Sequence, residues 1–274
     1  MNQIDISVIM TVKNGSKYLE SSLSSVFSQT YLPKEVVVVN DGSDDDTWEV
    51  LKKLRHMAPV QVQLVDTQGV GRARALNLAV NHTRYSWLAN IDADDQWLPE
   101  KLAQQVATIS LFPNVELVVT ASQIVYGEGE GEGELVISRG FSVTPMGCDS
   151  FYVNNPINHS SILFSRRFFD EVGGYDEALF RQVDIDLWVR ALRKGFIFYQ
   201  VDLPLTVKRL HEGQSFEVGN RLSYTFNSLK ISLKKLRQLK APFYYFPIAF
   251  VKFFYNNIPR SIRRRLKRVS LWKL

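Results

Sequence analysis

The chain has 274 residues, 45% hydrophobic and 22% charged, which is enough for one large or two small domains with a sizeable core. A single cysteine, Cys148, excludes an internal disulfide and a cysteine-based zinc site and points to a reducing compartment. Of the 33 Lys and Arg, 14 fall in residues 218–274, which contain no Asp or Glu; the remaining 19 face 28 acidic residues, so an acidic body of net −9 carries a basic tail.

Residues 6–10, ISVIM, read as a short buried strand rather than the apolar core of a signal peptide. Asn14-Gly15-Ser16 breaks it, and Tyr18, Leu19, Leu23, Val26 and Phe27 recur at helical spacing with Ser16 as N-cap. Residues 35–39, EVVVV, are continuous and β-branched, the mark of a strand covered on both faces. A turn, NDGS, follows, and Asp44 to Asp46 suit the start of a helix carrying Trp48, Leu51 and Leu54. Residues 60–65 make a third strand, 69–71 a turn and 72–82 a helix. Residues 87–91 make a fourth strand, Pro99 opens a helix, and 115–121 make a fifth strand. Strands alternating with helices at this spacing predict an α/β fold: a Rossmann-like, mostly parallel sheet with helices on both faces.

The rhythm then changes. Residues 127–134, GEGEGEGE, predict a mobile hairpin tip. Leu222, Phe226, Leu229, Leu233 and Leu236 form a 4-3-4-3 stripe, an amphipathic helix over residues 221–240. Residues 1–217 are assigned to one domain, with a nucleotide-binding half over 1–112 and an acceptor half over 113–217, and 218–274 to a basic helical tail.

Ligands of open α/β sheets bind beyond the carboxyl ends of the strands. Polar groups gather at three such ends: Thr11 and Asn14 after the first strand, Asp41 after the second, and Asp92, Asp94 and Asp95 after the fourth. Like charges this close raise the cost of ionising one another. Hard oxygens so placed suit Mg²⁺ or Mn²⁺, which take one or two carboxylates plus substrate phosphates. The competing reading is that these acids cap helices, Asp95 capping the one at Pro99.

The motifs SVIMTVKNGSKYL, VVVVNDGSDDDT, ALN and NIDADDQWLP occur in this order, followed by INHSSILFSRRFFDEVGGYDEAL, VDIDLWVRALRKG and VKRLHEGQS. The series resembles the inverting family 2 glycosyltransferases of the GT-A fold over roughly residues 5–215. The resemblance implies a nucleotide-sugar donor, a Mn²⁺ or Mg²⁺ ion and a saccharide or lipid-linked saccharide acceptor. It places Thr11, Asn14 and Asp41 at the nucleotide, Asp92 near the ribose, Asp94 on the metal, and Asp95 behind them or as a cap. Relatives often have Arg where this chain has Leu76; Arg72 or Arg74 can serve the nucleotide instead, the other lying on a solvated helix face.

The resemblance also implies that Asp184 is the base that deprotonates the acceptor, with Asp186 in reserve. Val183 replaces the usual Glu, a departure from the pattern. His211 matches a histidine that reaches the metal or diphosphate. His159 and Trp97 each have two readings: lining the acceptor site, or packing and hydrogen bonding within the fold. Trp188 reads as core, and His56 and His82 as surface.

Residues 241–255, APFYYFPIAFVKFFY, are too short to cross a bilayer, and Pro247 and Lys252 interrupt them. With the Arg/Lys run from Arg260 to Arg268 they read as a segment over 241–274 lying on an anionic membrane, or else packing on the domain or a partner subunit. The acidic body and the lack of a nucleic-acid motif argue against nucleic acid. The expected location is cytoplasmic, peripheral on the inner face of the cell membrane. Two rivals stay open: a nucleotidyltransferase, and a non-catalytic nucleotide-sugar-binding subunit.

Overall fold

Four parallel strands, β1 (Ile6–Val12), β2 (Glu35–Asp41), β3 (Gln61–Thr67) and β4 (Trp87–Asn90), form the first half of the sheet in the computed structural model, which describes residues 4–127, 142–211 and 221–258. The polar repeat at 128–134 and the basic run at 260–268 lie outside the described residues, as does the 217/218 boundary.

β1 and β2 alternate between two apolar faces. Ile6, Val8, Met10, Val12, Val36 and Val38 join one core cluster with Leu19, Leu23 and Val26 of α1 (Ser16–Phe27) and Leu51 and Leu54 of α2 (Thr47–Met57). Ile9, Val37 and Val39 point the opposite way, and α3 (Arg72–Asn81) packs on β1 and β2 with Ala73, Leu76, Ala79 and Val80 buried. Both faces are covered, which explains the uninterrupted valines of β2.

Beyond β4 the sheet changes direction. β5 (Gln96–Trp97) and α4 (Lys101–Leu111) lead to β6 (Leu117–Tyr126), β7 (Val143–Met146), the short α5 (Ser150–Val153), a 3₁₀ turn at His159–Ser161, and β8 (Ile162–Ser165). α6 (Arg166–Val172), α7 (Val183–Arg193) and β9 (Phe198–Leu210) complete this part. The strand order is β3-β2-β1-β4-β8-β6-β9-β5, with β7 paired to β9. β8 enters antiparallel between β4 and β6, while the long β6–β9 pairing is parallel, so by paired length the sheet is mostly parallel. The consequence for the site is direct: β8 sets the 159–161 turn beside the carboxyl end of β4.

Some local expectations are corrected. Gly15, not Ser16, is the N-cap of α1. Asp95 caps nothing: α4 begins at Lys101 with Glu100 at its N-cap, two residues beyond Pro99. The fifth predicted strand is longer, Leu117–Tyr126, because it pairs with β9 along its whole length.

The chain divides into two units, Met1–Gly147 with Asn155–His211, and Cys148–Asn154 with Glu212–Leu274. In the second, α8 (Arg221–Gln238) and α9 (Phe246–Asn257) pack through Leu229, Leu236 and Ala249, joined by Tyr152 of α5. No helix among the described residues is long and apolar enough to cross a membrane.

Lys101 is fully buried behind the carboxyl end of β4. Its Nζ donates to Gln105 Oε1 at 2.9 Å and stands 4.0 Å over the Trp97 ring. Burial holds its pKa well below 10.5. The folded chain therefore binds fewer protons here than the unfolded chain, and stability rises with pH between the lowered folded pKa and 10.5. Lys101→Met removes this dependence. In urea unfolding, its stability relative to the parent should be highest near neutrality and decline as pH approaches 10; a difference constant with pH would show that Lys101 stays charged in the fold.

Candidate functional site

The carboxyl ends of β1, β2 and β4 hold the three polar groups expected from the sequence. After β1, Asn14 adopts a positive φ of 54°, and its side chain accepts from Asp44 N at 2.9 Å while its own N–H donates to Ser43 Oγ at 2.9 Å. The turns after β1 and β2 are thereby tied together. Thr11 is partly exposed at the end of β1.

At the end of β2, Asp41 is buried. Its carboxylate accepts from Thr67 Oγ1 at 2.9 Å, Val70 N at 2.6 Å and Gly71 N at 3.0 Å. A ligand amide at Asp41 therefore shares this carboxylate with three internal donors. The next residue, Gly42, has φ +68°, and a Cβ there would stand 2.6 Å from Gly69 N, so only glycine lets the two turns approach this closely.

The three aspartates after β4 have three different environments. Asp92 Oδ1 accepts from Arg72 Nη2 at 2.8 Å. Burial favours the neutral acid, yet Arg72 and the bonds from its surroundings outweigh that and hold Asp92 well below the usual carboxylate range. Arg72 is raised reciprocally by the charge of Asp92. Asp94 Oδ2 lies 3.1 Å from His211 Nε2. Asp95 is 2% exposed and accepts from Ser160 Oγ at 2.5 Å and Arg209 N at 3.0 Å. Burial, and then the charges of Asp92 and Asp94, push its pKa up to about 7. The partners of this cluster thus arrive from α3, from the end of β9 and from the turn before β8.

His159 is buried between β4 and Tyr175. Arg72 Nη2 and Asn90 Nδ2 approach its Nδ1 at 3.2 and 3.1 Å, and both can only donate. Nδ1 is therefore an acceptor, and the proton sits on Nε2, which donates to Tyr175 Oη at 2.7 Å. Burial holds the Tyr175 hydroxyl protonated well above its ordinary range. His159 thus orients Arg72 toward Asp92 rather than lining an open acceptor cleft; of its two readings the hydrogen-bonded one is what the structure shows. Trp97 resolves the same way. It is 3% exposed, its Nε1 donates to Ser160 O at 2.7 Å, and it offers no free face for a sugar to stack on. Trp188 is core.

Asp184 and Asp186 both lie in the first turn of α7. Gln182, the residue before that helix, is left-handed at φ 56°, a strained backbone that turns the chain into α7. Asp186 is largely buried and pairs with Arg190 Nε at 2.7 Å; Arg190 also binds the carbonyls of Val172 and Gly174. The pair braces the start of α7 against the 172–174 turn. Asp184 is partly exposed and accepts from Asn155 Nδ2 at 2.7 Å, with the positive field of Arg72 nearby. Arg74 is exposed, and the cation paired with Asp92 is Arg72.

Several residues of this assembly had no sequence signal of their own. Asn90, Asn155, Ser160, Arg209 and Tyr175 are polar groups whose partners are distant in the chain. Tyr18 lies 4.7 Å from the His211 ring, centroid to centroid, and is covered by the Arg209 guanidinium at 5.4 Å.

Among the described residues no group of three or more His, Cys, Asp and Glu is arranged to hold a metal ion. The Asp94–His211 pair still fits one: a single carboxylate and a single imidazole present adjacent donors, as in sites where substrate oxygens and water complete the shell.

Comparison with known proteins matches residues 7–173 to Glycosyl transferase family 2. The O-antigen biosynthesis glycosyltransferase WbnJ of Escherichia coli is 30% identical over 191 residues, covering 69% of this chain and 72% of that protein. The putative glycosyltransferase EpsE of Bacillus subtilis is 26% identical over 240 residues, covering 86% and 84%. An uncharacterized glycosyltransferase of Rickettsia felis is 29% identical over 203 residues, but the match spans only 31% of that longer protein. Among solved structures, S. aureus TarS 1-349 in complex with UDP-GlcNAc shares the fold with a TM-score of 0.66 at 18% identity, covering 98% of this chain and 77% of that one. The mannosyltransferase PcManGT of Pyrobaculum calidifontis, in complex with GDP-Man and Mn²⁺, does so with a TM-score of 0.64 at 16% identity, covering 99% and 82%. A family match over most of the chain, on a sheet that gathers its polar groups at the same strand ends, leads to one conclusion: the chain belongs to glycosyl transferase family 2.

Proposed function

We propose that the protein transfers a hexosyl or hexosaminyl residue from a UDP-sugar to a saccharide or lipid-linked saccharide, with inversion, using Mn²⁺ or Mg²⁺. The observation that carries the reading is the separation of charge at the end of β4: Asp92 is neutralised by Arg72, whereas Asp94 stands beside His211 as an oxygen–nitrogen donor pair. Asp94 and His211 would hold a divalent ion there, which would supply Lewis-acid stabilisation to a diphosphate leaving group. TarS has been crystallised with UDP and with UDP-GlcNAc, which supports a uridine donor here.

The chain's own residues do the rest. The 41–43 and 68–71 turns, locked by Asp41, form the wall of the nucleotide site, with Thr11 and Asn14 beside it. His159 and Asn90 hold Arg72 in place at Asp92, keeping that cation next to the diphosphate position. Asp184 takes the proton from the acceptor hydroxyl, and Asn155 orients its carboxylate. A single displacement with one base opposite the leaving group inverts the anomeric centre. The arrangement does not favour a nucleotidyltransferase, because TVKNGSKY after β1 lacks the basic, glycine-rich loop that a triphosphate needs.

The helical unit supports a location at the cytoplasmic face of an anionic membrane. Residues 221–258 contain seven Lys and Arg and no acid, and Phe243, Tyr244, Phe250 and Phe254 are exposed on or just before α9. Basic groups beside exposed aromatics are the composition of a segment that lies in the headgroup plane.

Three measurements test these statements. Calorimetric titration of UDP in the presence of Mn²⁺ should show binding that EDTA abolishes and that Asp94→Asn weakens by about tenfold or more, roughly 1.4 kcal/mol; binding indifferent to both would remove the ion from this site. Asp184→Asn should lower UDP release from a panel of UDP-GlcNAc, UDP-glucose and UDP-galactose by about 10²-fold or more, with UDP affinity unchanged; equal release would exclude Asp184 as base and favour a role in binding alone. The full chain should sediment with phosphatidylglycerol vesicles at low salt and not with phosphatidylcholine vesicles, and Phe250→Ser with Phe254→Ser should weaken that. Indifference to both vesicle types would end the membrane reading.

A further inference from the structure

Two stretches of the sequence, ALN in α3 and VGGYDEAL at the end of α6, meet in the fold although 98 positions separate Asn77 from Tyr175. The Asn77 side chain engages both backbone groups of Tyr175. Its Oδ1 accepts from Tyr175 N at 2.9 Å, and its Nδ2 donates to Tyr175 O at 2.9 Å and to Glu177 Oε1 at 3.0 Å. The turn is shaped for this approach: Gly174 has φ +66°, and a Cβ there would stand 3.0 Å from Asn77 Oδ1 and 3.2 Å from Phe169 Cζ. From the other side, Arg190 of α7 donates to Val172 O at 2.7 Å and to Gly174 O at 2.6 Å. Residues 172–175 are thus gripped by α3 and α7 at once.

What this grip delivers is a buried hydroxyl. The Tyr175 ring meets Phe169 edge-on at 5.6 Å and His159 at 5.7 Å, centroid to centroid, and its Oη lies 2.7 Å from His159 Nε2. At the opposite ring nitrogen Arg72 Nη2 can only donate, so Nδ1 accepts and the buried Nε2–H needs an acceptor, which is Tyr175 Oη. Asn90 agrees with this assignment. Its Nδ2 faces Asp92 Oδ1 at 3.4 Å and His159 O at 3.3 Å, both acceptors, so the donating end of the amide also meets Nδ1. Arg72 Nη2, placed at Nδ1, donates to Asp92 Oδ1 at 2.8 Å. A continuous series of hydrogen bonds therefore runs from Asn77 through Tyr175, His159 and Arg72 to Asp92, all within one unit of the chain. Asn77 and Arg72 both lie on α3, so the helix holds the turn and the turn holds the first side chain of the helix.

We propose that Asn77 and Tyr175 are positioning residues for Arg72: Asn77 sets the backbone of Tyr175, and the Tyr175 hydroxyl holds the His159 imidazole with Nδ1 turned to the guanidinium. The inference rests on the reading of Arg72 as the cation beside the donor diphosphate. Tyr175 is 2% exposed and Asn77 faces the 174–177 turn, so both act through Arg72 and not on the nucleotide itself. A guanidinium on a flexible stem binds best when its acceptors preorganise it, so the effect falls on donor affinity.

The test is side-chain NMR of the full-length chain labelled with nitrogen-15 in His and Arg, with calorimetric titration of UDP in the presence of Mn²⁺ alongside. His159→Gln and Arg72→Lys assign the signals. The parent should show a slowly exchanging His159 Nε2–H and separate Arg72 Nη signals from a guanidinium hindered in rotation. Tyr175→Phe removes one oxygen and keeps the ring; it should lose the Nε2–H signal, merge the Arg72 signals and weaken UDP binding by about fivefold or more. Asn77→Ala should do the same. Adding Tyr175→Phe to Arg72→Met should weaken UDP no further than Arg72→Met alone, because the hydroxyl acts only through the guanidinium. Unchanged His159 and Arg72 signals in Tyr175→Phe overturn the proposal, as do losses of affinity that multiply in the double variant. A lowered urea midpoint with UDP affinity intact makes both residues structural only and overturns it too. UDP binding indifferent to Arg72→Met, with the NMR changes present in Tyr175→Phe, instead overturns the reading of Arg72 at the diphosphate, and the purpose of the series falls with it.

Discussion

Three carboxylates within four residues at the end of a buried strand repel one another, and the chain must separate their charges before the site can exist. It does so by giving each a different partner. Asp92 takes the guanidinium of Arg72, Asp94 faces the imidazole of His211, and Asp95 is buried on Ser160 with its affinity for a proton raised. Partners at these positions come from α3, from the end of β9 and from the turn before β8, so the surrounding fold is arranged around this requirement. Without Arg72 in place, the charge of Asp92 would add its repulsion to that of Asp94 at the same strand end.

The sheet supplies the means. Parallel strands β1, β2 and β4 end on the same edge, which brings the turns after them together. The antiparallel entry of β8 next to β4 then delivers Asn158, His159 and Ser160 to that edge from the far side. His159 lies there between Arg72 and Asn90 at its Nδ1 and Tyr175 Oη at its Nε2. Strain is present as well: Asn14 and Gln182 hold positive φ angles, one in the turn after β1 and one at the entry to α7.

Charge also organises the second unit, in the opposite sense. A segment with many basic residues and no acid cannot form internal ion pairs, so its partly buried lysines turn to backbone carbonyls. The carbonyls they find belong to the end of the short α5, a segment from the middle of the chain that joins this unit.

Much of this was legible from the residues. Alternating β-branched runs and amphipathic stretches identify β1 to β4 and α1 to α3, because burial on both faces of a parallel sheet demands such runs. The clusters at Asp41 and at 92–95 stand out because they fall at the carboxyl ends of neighbouring strands, where open α/β sheets bind ligands. The order of motifs identified the family, and Asp92, Asp94, Asp184 and His211 could be singled out as a set. Their pairing could not. Which cation neutralises Asp92, whether Asp41 is occupied by its own turn, and whether Trp97 and His159 face a ligand or the core depend on contacts across tens of residues. The same holds for Asn155, an ordinary turn residue until α7 is folded against it. Sequence determined which chemical groups this protein has and at which strand ends they sit, since periodicity is a local property of the chain. Only the tertiary structure decided which group meets which, because hydrogen bonds and ion pairs act over a few ångströms and the strand order chooses what comes within that reach.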